Sequence, residues 1–236
     1  IVWNNPNQHD NNYNNSYNPA PDYWKSLPST FYDVWNTGNT NLQTESAYWE
    51  WQRAFDYFKY SKENRQVQWD RLYWANRNAN ALGRDAMYYV QARHNNNLYL
   101  TLASTLSVKQ TKNSNWNAGF VVATNKGMHY QTMDDLLGAQ YFQNINTYAV
   151  GNYAPNSDWV QYDLNNPNAV VGEGDKFGYN YNIVTNKAYA WANYAATVGH
   201  FHFTLNGRIG GTSMERDGKM KNGLFAQNSY GKSGWA

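Results

Sequence analysis

The sequence predicts an all-β chain of long antiparallel strands, each apolar on one face and polar on the other. The first observation behind this is alternation. Over 98–108 the even positions read Leu98, Leu100, Leu102, Ser104, Leu106 and Val108, against Tyr99, Thr101, Ala103, Thr105 and Ser107 at the odd ones. Over 201–211, Phe201, Phe203, Leu205 and Ile209 alternate with His202, Thr204, Asn206 and Arg208. Successive strand side chains point to opposite faces, so each run is greasy on one side and wet on the other. The second observation is lopsided connection: tight turns at 111–115 and near Gly199, but about forty residues of Asn, Tyr, Gly and Pro over 136–175. A soluble β-sandwich and a transmembrane β-barrel both produce the alternation. A loop this long is unusual inside a compact domain, whereas short turns on one side and long loops on the other characterise outer-membrane barrels.

Composition narrows the choice of function. Charged residues make up 15% of the chain and aromatics 17%, about one residue in seven is Asn, and mean hydropathy is -0.84. Disorder calls for few aromatics and high net charge, and neither holds. A formal net charge of +2, with no Lys/Arg cluster interleaved with aromatics, argues against a nucleic-acid partner. With no cysteine, the chain has no disulfide framework, thiolate metal site or thiol nucleophile. The longest apolar runs, such as Gly119-Phe120-Val121-Val122-Ala123, are far below the roughly 20 residues of a membrane helix. Strands of about 9–11 residues can still cross a bilayer. The chain begins Ile1-Val2-Trp3 and closes on Gly234-Trp235-Ala236 inside a glycine- and aromatic-rich stretch, which reads as an internal piece of something longer.

Taken in order, 1–18 is Asn-rich without periodicity and reads as extended loop, with an Asn14-Asn15-Ser16 sequon of chance frequency. Over 47–75 two periods compete. Trp49, Trp51, Phe55, Tyr57 and Lys59 suit a strand, while Tyr48, Trp51, Ala54, Phe55 and Phe58 suit a helix stripe; a strand followed by structured loop is expected. The hairpin 84–131 comprises strands 84–110 and 116–131. A second hairpin, 177–215, turns near Gly199, and 218–236 reads as loop. Trp116, Phe201 and His202 sit at the turns, and Tyr88, Tyr89, Phe177, Tyr179 and Tyr181 near the opposite strand ends. Barrels carry such aromatic girdles where lipid meets water.

Short strings point further. Asn18-Pro19-Ala20-Pro21-Asp22-Tyr23-Trp24-Lys25-Ser26-Leu27-Pro28 is followed by Val67-Gln68-Trp69-Asp70-Arg71-Leu72-Tyr73 and Ala75-Asn76-Arg77-Asn78. Asp134-Asp135-Leu136-Leu137-Gly138, Asp163-Leu164-Asn165-Asn166-Pro167-Asn168 and Gly174-Asp175-Lys176-Phe177-Gly178-Tyr179 come next. Gly218-Lys219-Met220-Lys221-Asn222-Gly223 and Asn228-Ser229-Tyr230-Gly231 close the series. In order and spacing these resemble TonB-dependent outer-membrane receptors of the Bacteroidota, in the subgroup with a carboxypeptidase-regulatory-like N-terminal extension. The resemblance implies a 22-strand barrel filled by a plug, with this chain as a middle section of the wall and the plug outside it. It also implies localisation in the cell outer membrane, contact with outer-membrane lipid, and energy-coupled uptake of a glycan, peptide or siderophore. The TonB complex would act through the plug, with a surface lipoprotein as a further partner. Residues 1–46, 70–83, 136–175 and 218–236 would then be extracellular, and the turns at 111–115 and Gly199 periplasmic. The rival readings are a secreted carbohydrate-binding β-sandwich and, more weakly, a glycan hydrolase.

The side chains that could carry chemistry are few. Tyr141, Phe142, Tyr148, Tyr153, Trp159 and Tyr162 stud the Asn/Gln-rich loop. Aromatic faces stack on sugar rings or peptides while amides donate and accept together, so Tyr141, Tyr148, Tyr153, Trp159 and Tyr162 are the expected ligand contacts; packing of the loop against itself is the plainer alternative. His200-x-His202 puts two imidazoles together without a third ligand, so no metal is expected. His94 and His129 have no spacing partner. Asp134-Asp135 with Glu173 and Asp175 could act as acid and base, but strand ends and turns also use them, and no catalytic residue is expected. Asp163-x-Asn165-x-x-Asn168 lacks the Gly and distal Glu of an EF-hand and reads as a turn held by Asx hydrogen bonds. Gly172-x-Gly174 has no nucleotide-binding context, Ser229 has no evident base, and no cofactor is implied.

Overall fold

The alternating runs become strands far longer than the 5–6 residues typical of a sheet. The computed structural model describes residues 1–3, 18–35 and 43–236. In chain order its elements are β1 (Val2–Trp3), α1 (Pro28–Trp35), α2 (Glu45–Tyr60), α3 (Trp69–Ala81), β2 (Tyr88–Thr111), β3 (Ser114–Asp135), β4 (Phe142–Gln143), β5 (Val170–Val171), β6 (Lys176–Val198), β7 (Phe201–Gly218) and β8 (Gly231–Trp235). Short 3-10 turns lie at Trp24–Ser26, Glu63–Arg65, Asp158–Val160 and Gly223–Phe225. The chain is mostly antiparallel sheet, 48% strand with 22% helix. Strand order is β1-β2-β3-β6-β7-β8, open at both ends, with β4-β5 as a separate pair. Among the described residues no helix is long and apolar enough to cross a membrane, which says nothing of strands.

Two compact units divide the chain. The first comprises Ile1–Gln91, Met133–Gln143 and Val170–Gly174; the second comprises Ala92–Thr132, Asn144–Ala169 and Asp175–Ala236.

In the first unit the sequence reading needs correction. The strand expected over 47–75 is helical: α2 and α3 occupy most of it. Local contacts at helical spacing explain why. Thr44 caps α2 by accepting from the Ala47 amide at 3.1 Å, and Trp49 donates to Glu45 at 3.2 Å. Lys59 lies 5.2 Å from the Phe55 ring centroid, so pairs four apart meet along the helix. None of the described α2 side chains is fully buried; Ala47, Trp51, Ala54 and Phe58 form a half-buried stripe at helical spacing, with Trp51 5.3 Å from Tyr32 of α1. In α3, Leu72, Ala75, Asn76 and Ala79 are buried at helical spacing, and Gly83, at φ 66, ends the helix in the left-handed region. Leu72 and Ala75 pack with Tyr88 and Leu137 as the unit's core.

Buried in that core is one amide, Asn76. Its Nδ2 donates to the carbonyls of Tyr88, Leu136 and Leu137 at 2.8, 2.9 and 3.1 Å. Its Oδ1 accepts from the amides of Met87 and Tyr88 at 2.9 and 3.0 Å. One turn on, Asn80 donates to the Gly138 carbonyl and accepts from the Gln140 amide at 2.9 and 3.0 Å. The segment they hold is a tight turn with left-handed backbone at Leu137 and Gly138, φ 49 and 78, closed by the Ala139 amide on the Leu136 carbonyl at 3.0 Å.

In the second unit the hairpins stand where the alternation put them. The first turns at Lys112 and Asn113, the second at Gly199 and His200, with Gly199 at φ 61 between the paired residues Val198 and Phe201. Ser114 lies opposite Ala196, so both turns fall at the same end of the sheet. At the other end a register shift between Tyr130 and Gln131 sits opposite Gly178, at φ 70, whose amide donates to Asn144 at 2.9 Å. A Cβ on Gly178 would run into the Gln131 side chain. The loop expected over 218–236 proves to contain a further strand, β8, paired with the end of β7 from Met214↔Trp235 to Gly218↔Gly231. The Asn-rich segment and its sequon lie outside the described residues, apart from residues 1–3 and 18.

Candidate functional site

Register assigns the paired positions of β3, β6 and β7 to one of two faces. Odd positions of β7 pair with even positions of β6, and those with even positions of β3. One face therefore carries Phe201, Phe203, Leu205 and Ile209 with Trp116, Phe120 and Val122, and Leu100 and Leu102 of β2 border a surface hollow with Val122. This apolar face is the exposed one: Leu102 is 63% accessible and Ile209 79%. The other face carries Asn117, Asn125, Asn193, Thr204 and Arg208; it is half-buried along β3 and β6 and exposed along the lower parts of β2 and β7. Along β3 the even positions 116–122 are exposed, while the odd ones are half-buried, down to 4% at Ala123. A soluble core has the opposite arrangement. Near the turns the apolar face ends in aromatics, Trp116 against Tyr194 at 4.5 Å and Phe201 near Phe203 at 6.3 Å. The matching girdle expected from Tyr88, Tyr89, Phe177, Tyr179 and Tyr181 is not formed. Tyr88, Tyr89 and Phe177 are buried, and Tyr181 belongs to the polar face by its pairing with Gly218.

Beyond the apolar face, at the end of the sheet away from the turns, a cleft of about 490 Å³ opens. It is within the roughly 300–1,000 Å³ of small-molecule sites. The start of β6 supplies Tyr179, Asn180 and Tyr181, the end of β7 supplies Arg216, the connection to β8 supplies Asn222, Phe225, Asn228 and Ser229, and Tyr162 comes from the long loop. Close backbone approach builds this end. A Cβ on Gly218 would meet the Ser229 carbonyl, and one on Gly223 the Asp158 carbonyl. Ser229 accepts from the Asn222 amide at 2.8 Å, and Asp163 accepts from the Lys221 amide at 3.0 Å. Tyr181 stacks on His129 at 5.0 Å and lies 5.1 Å from the Arg216 guanidinium. Arg216 Nη1 also donates to the carbonyls of Ser229 and Asn228 at 2.9 and 3.2 Å. Burial pushes the Tyr162 phenol above its ordinary range, and charge on Tyr148 would push it further.

Of the five aromatics expected to contact ligand, only Tyr162 lines this cleft. Tyr153 and Trp159 stack on each other at 5.6 Å with both rings accessible, and Tyr148 is exposed. Tyr141 belongs to the first unit, where its hydroxyl donates to the Gly83 carbonyl at 3.2 Å. Phe142 is buried against Tyr89 at 4.7 Å. Asp135 and Glu173, forty residues apart in rough terms of sequence, come together on adjacent amides: Asp135 accepts from Leu137 at 2.6 Å and Glu173 from Leu136 at 3.2 Å. Asp163 forms the expected Asx turn, accepting from Asn165 at 3.1 Å. His202 meets Thr197 at 2.8 Å, and among the described residues no three His, Asp or Glu side chains converge as metal ligands.

The sequence did not single out Arg216 or Asn180, offered Ser229 only as a serine without a base, and set Tyr179 and Tyr181, which line the cleft, among the strand-end aromatics. Arg216 sits between Glu215 and Asp217 and reads as part of a solvated charge run. Only strand parity separates it from both neighbours. Comparison with protein-family models, with curated proteins and with solved structures gave no match.

Proposed function

We propose that this chain is a section of the wall of a TonB-dependent outer-membrane receptor, which takes up a nutrient and catalyses no reaction. The observation that carries the reading is a continuous apolar face left bare, with polar residues kept to the other face, which is half-buried along β3 and β6. Water makes such a face costly, at about 25 cal/mol for each Å² left uncovered, whereas lipid covers it. Its height fits a bilayer. From Leu98 to Val108 is about ten residue steps, roughly 34 Å along the strand at ~3.4 Å each, or about 26 Å at a tilt near 40°. Barrels present an apolar band of about 25 Å. β2 and β6 run for 24 and 23 residues, so their upper halves stand clear of the lipid and raise the cleft above it. The aromatics at the turn end would mark the periplasmic interface. A secreted sandwich would need a second sheet over the apolar face, which is accessible instead. In this reading the long loops and cleft meet the ligand outside, and the TonB complex acts through a plug, with a surface lipoprotein as an accessory.

The chain contains no cysteine, so single cysteines report cleanly. Probes at Leu102→Cys and Leu205→Cys should be quenched by a lipid-dissolved quencher in vesicles, and probes at Thr101→Cys and Thr204→Cys by a water-soluble one. Equal access of the aqueous quencher to both faces would overturn the reading.

A further inference from the structure

We infer that the cleft at the end of β6 and β7 binds an acidic oligosaccharide, with Arg216 pairing to a sugar carboxylate and tyrosine rings stacking on the sugar. This deepens the receptor reading and rests on it for the cleft's exposure to ligand from outside the cell.

Arg216 brings a positive charge to the cleft. Its carboxylate neighbours in sequence, Glu215 and Asp217, fall on the opposite face by strand parity and are held there by lysines: Lys232 on Glu215 at 3.0 Å and Lys219 on Asp217 at 2.6 Å. No Asp or Glu is among the residues lining the cleft. Two carbonyls occupy Nη1, and the ring of Tyr181 lies beside the guanidinium, so the group is oriented in advance. Among the described residues its Nε–Nη2 edge has no acceptor. That edge is the planar fork that takes a carboxylate with two parallel hydrogen bonds.

The rest of the lining decides what carries the carboxylate. Tyr162 and Tyr179 bring rings to the lining, the Tyr181 ring being engaged by His129 and Arg216, and Asn180 and Asn228 bring amides that donate and accept. Sugar hydroxyls also donate and accept, and their rings present flat C–H faces. A peptide would favour an open strand edge for main-chain pairing, but the edge of β7 here is already taken by β8 from Met214 to Gly218. One cation in the cleft matches a monoanionic carboxylate better than a phosphate dianion.

The test is calorimetric titration of the detergent-solubilised protein with digalacturonate, its methyl ester, the neutral digalactose and triglutamate. Digalacturonate should bind at least about tenfold more tightly than the ester or the neutral sugar, as one bidentate charge pair implies, and the preference should shrink with added salt. Arg216→Met should abolish the preference and Arg216→Lys should keep part of it. Because Arg216→Met could also release the Asn228–Ser229 backbone, the ester arm makes the same comparison on the unaltered protein. Equal binding of acid and ester, no binding of either, or tighter binding of triglutamate overturns the inference. The quenching experiment on the same preparation separates the two readings. Lipid-facing probes together with an indifferent cleft sink the saccharide alone, whereas water-facing probes sink the receptor reading on which it rests.

Discussion

Asn76 is the residue on which the first unit turns. A buried amide is tolerated when its polar atoms are satisfied, and Asn76 joins α3 to the start of β2 and to the left-handed turn at Leu137 with five contacts. Removing one partner from such a network costs more than the bonds contributed, because carbonyls and amides stay buried without water. Asn76→Ala should therefore lower the unfolding free energy by about 3 kcal/mol or more, read as a shifted denaturant midpoint. Asn76→Asp should keep the bonds from Met87 and Tyr88 but set a carboxylate against three carbonyls, and should recover stability as the medium is acidified and the group takes up a proton. Equal midpoints for Asn76→Ala and the parent chain would show that the hub is dispensable. None of this is legible in the sequence: Asn is common throughout the chain, and nothing in Asn76-Arg77-Asn78 separates the amide that is buried from those that are not. Arg216 was hidden for the related reason that its partners, Ser229 and Asn228, are distant backbone carbonyls.

At the level of elements, the strands were legible and the helices were not, and side-chain environment explains both outcomes. In β2 and β7 apolar and polar residues keep to opposite faces along the lower half, although both faces are exposed there, so a two-residue period persists for ten positions. In α2 no described side chain is fully buried; the stripe of Ala47, Trp51, Ala54 and Phe58 is only half-buried, and with exposed Trp, Tyr and Phe beside it the aromatic positions suit either period. The cap at Thr44 and the Glu45–Trp49 contact decide the matter locally. Aromatics also misled at the strand ends, where Tyr88 and Phe177 are core residues and Tyr181 belongs to the cleft. The strand faces make a sharp prediction. Leu102 lies near the middle of the apolar band and Thr101 on the opposite face. In the membrane-embedded protein Leu102→Arg should cost roughly 2–4 kcal/mol, the value for an arginine on a lipid face at the bilayer midplane, and Thr101→Arg should cost little. Reversible unfolding from vesicles measures both. Equal tolerance at the two positions would mean that no lipid covers the face.

For the whole molecule the open edges of the sheet carry the same logic into the backbone. β1 pairs with β2 only at Tyr88 and Tyr89, and β8 pairs with β7 only from Met214 to Gly218. Among the described residues, the outer edge of β2 over 92–111 and that of β7 over 201–213 therefore present unpaired amides and carbonyls along the apolar band. Within hydrocarbon each such group costs several kcal/mol, and spanning sheets avoid this by closing on themselves. The wall reading thus requires further strands on both sides, and it predicts a pattern of hydrogen exchange. In this chain alone, the amides of β3 and of β6 between Ala188 and Ala196 should be the most protected, since they pair on both sides. Outward-pointing amides of β2 and β7 in the band should exchange faster by orders of magnitude, because strand edges open without disrupting the sheet. In a complete receptor those edge amides should become as protected as the interior ones. Edge amides already as slow as those of β6 in the isolated chain would show that the sheet is closed or covered by other means, and the need for neighbouring strands would disappear.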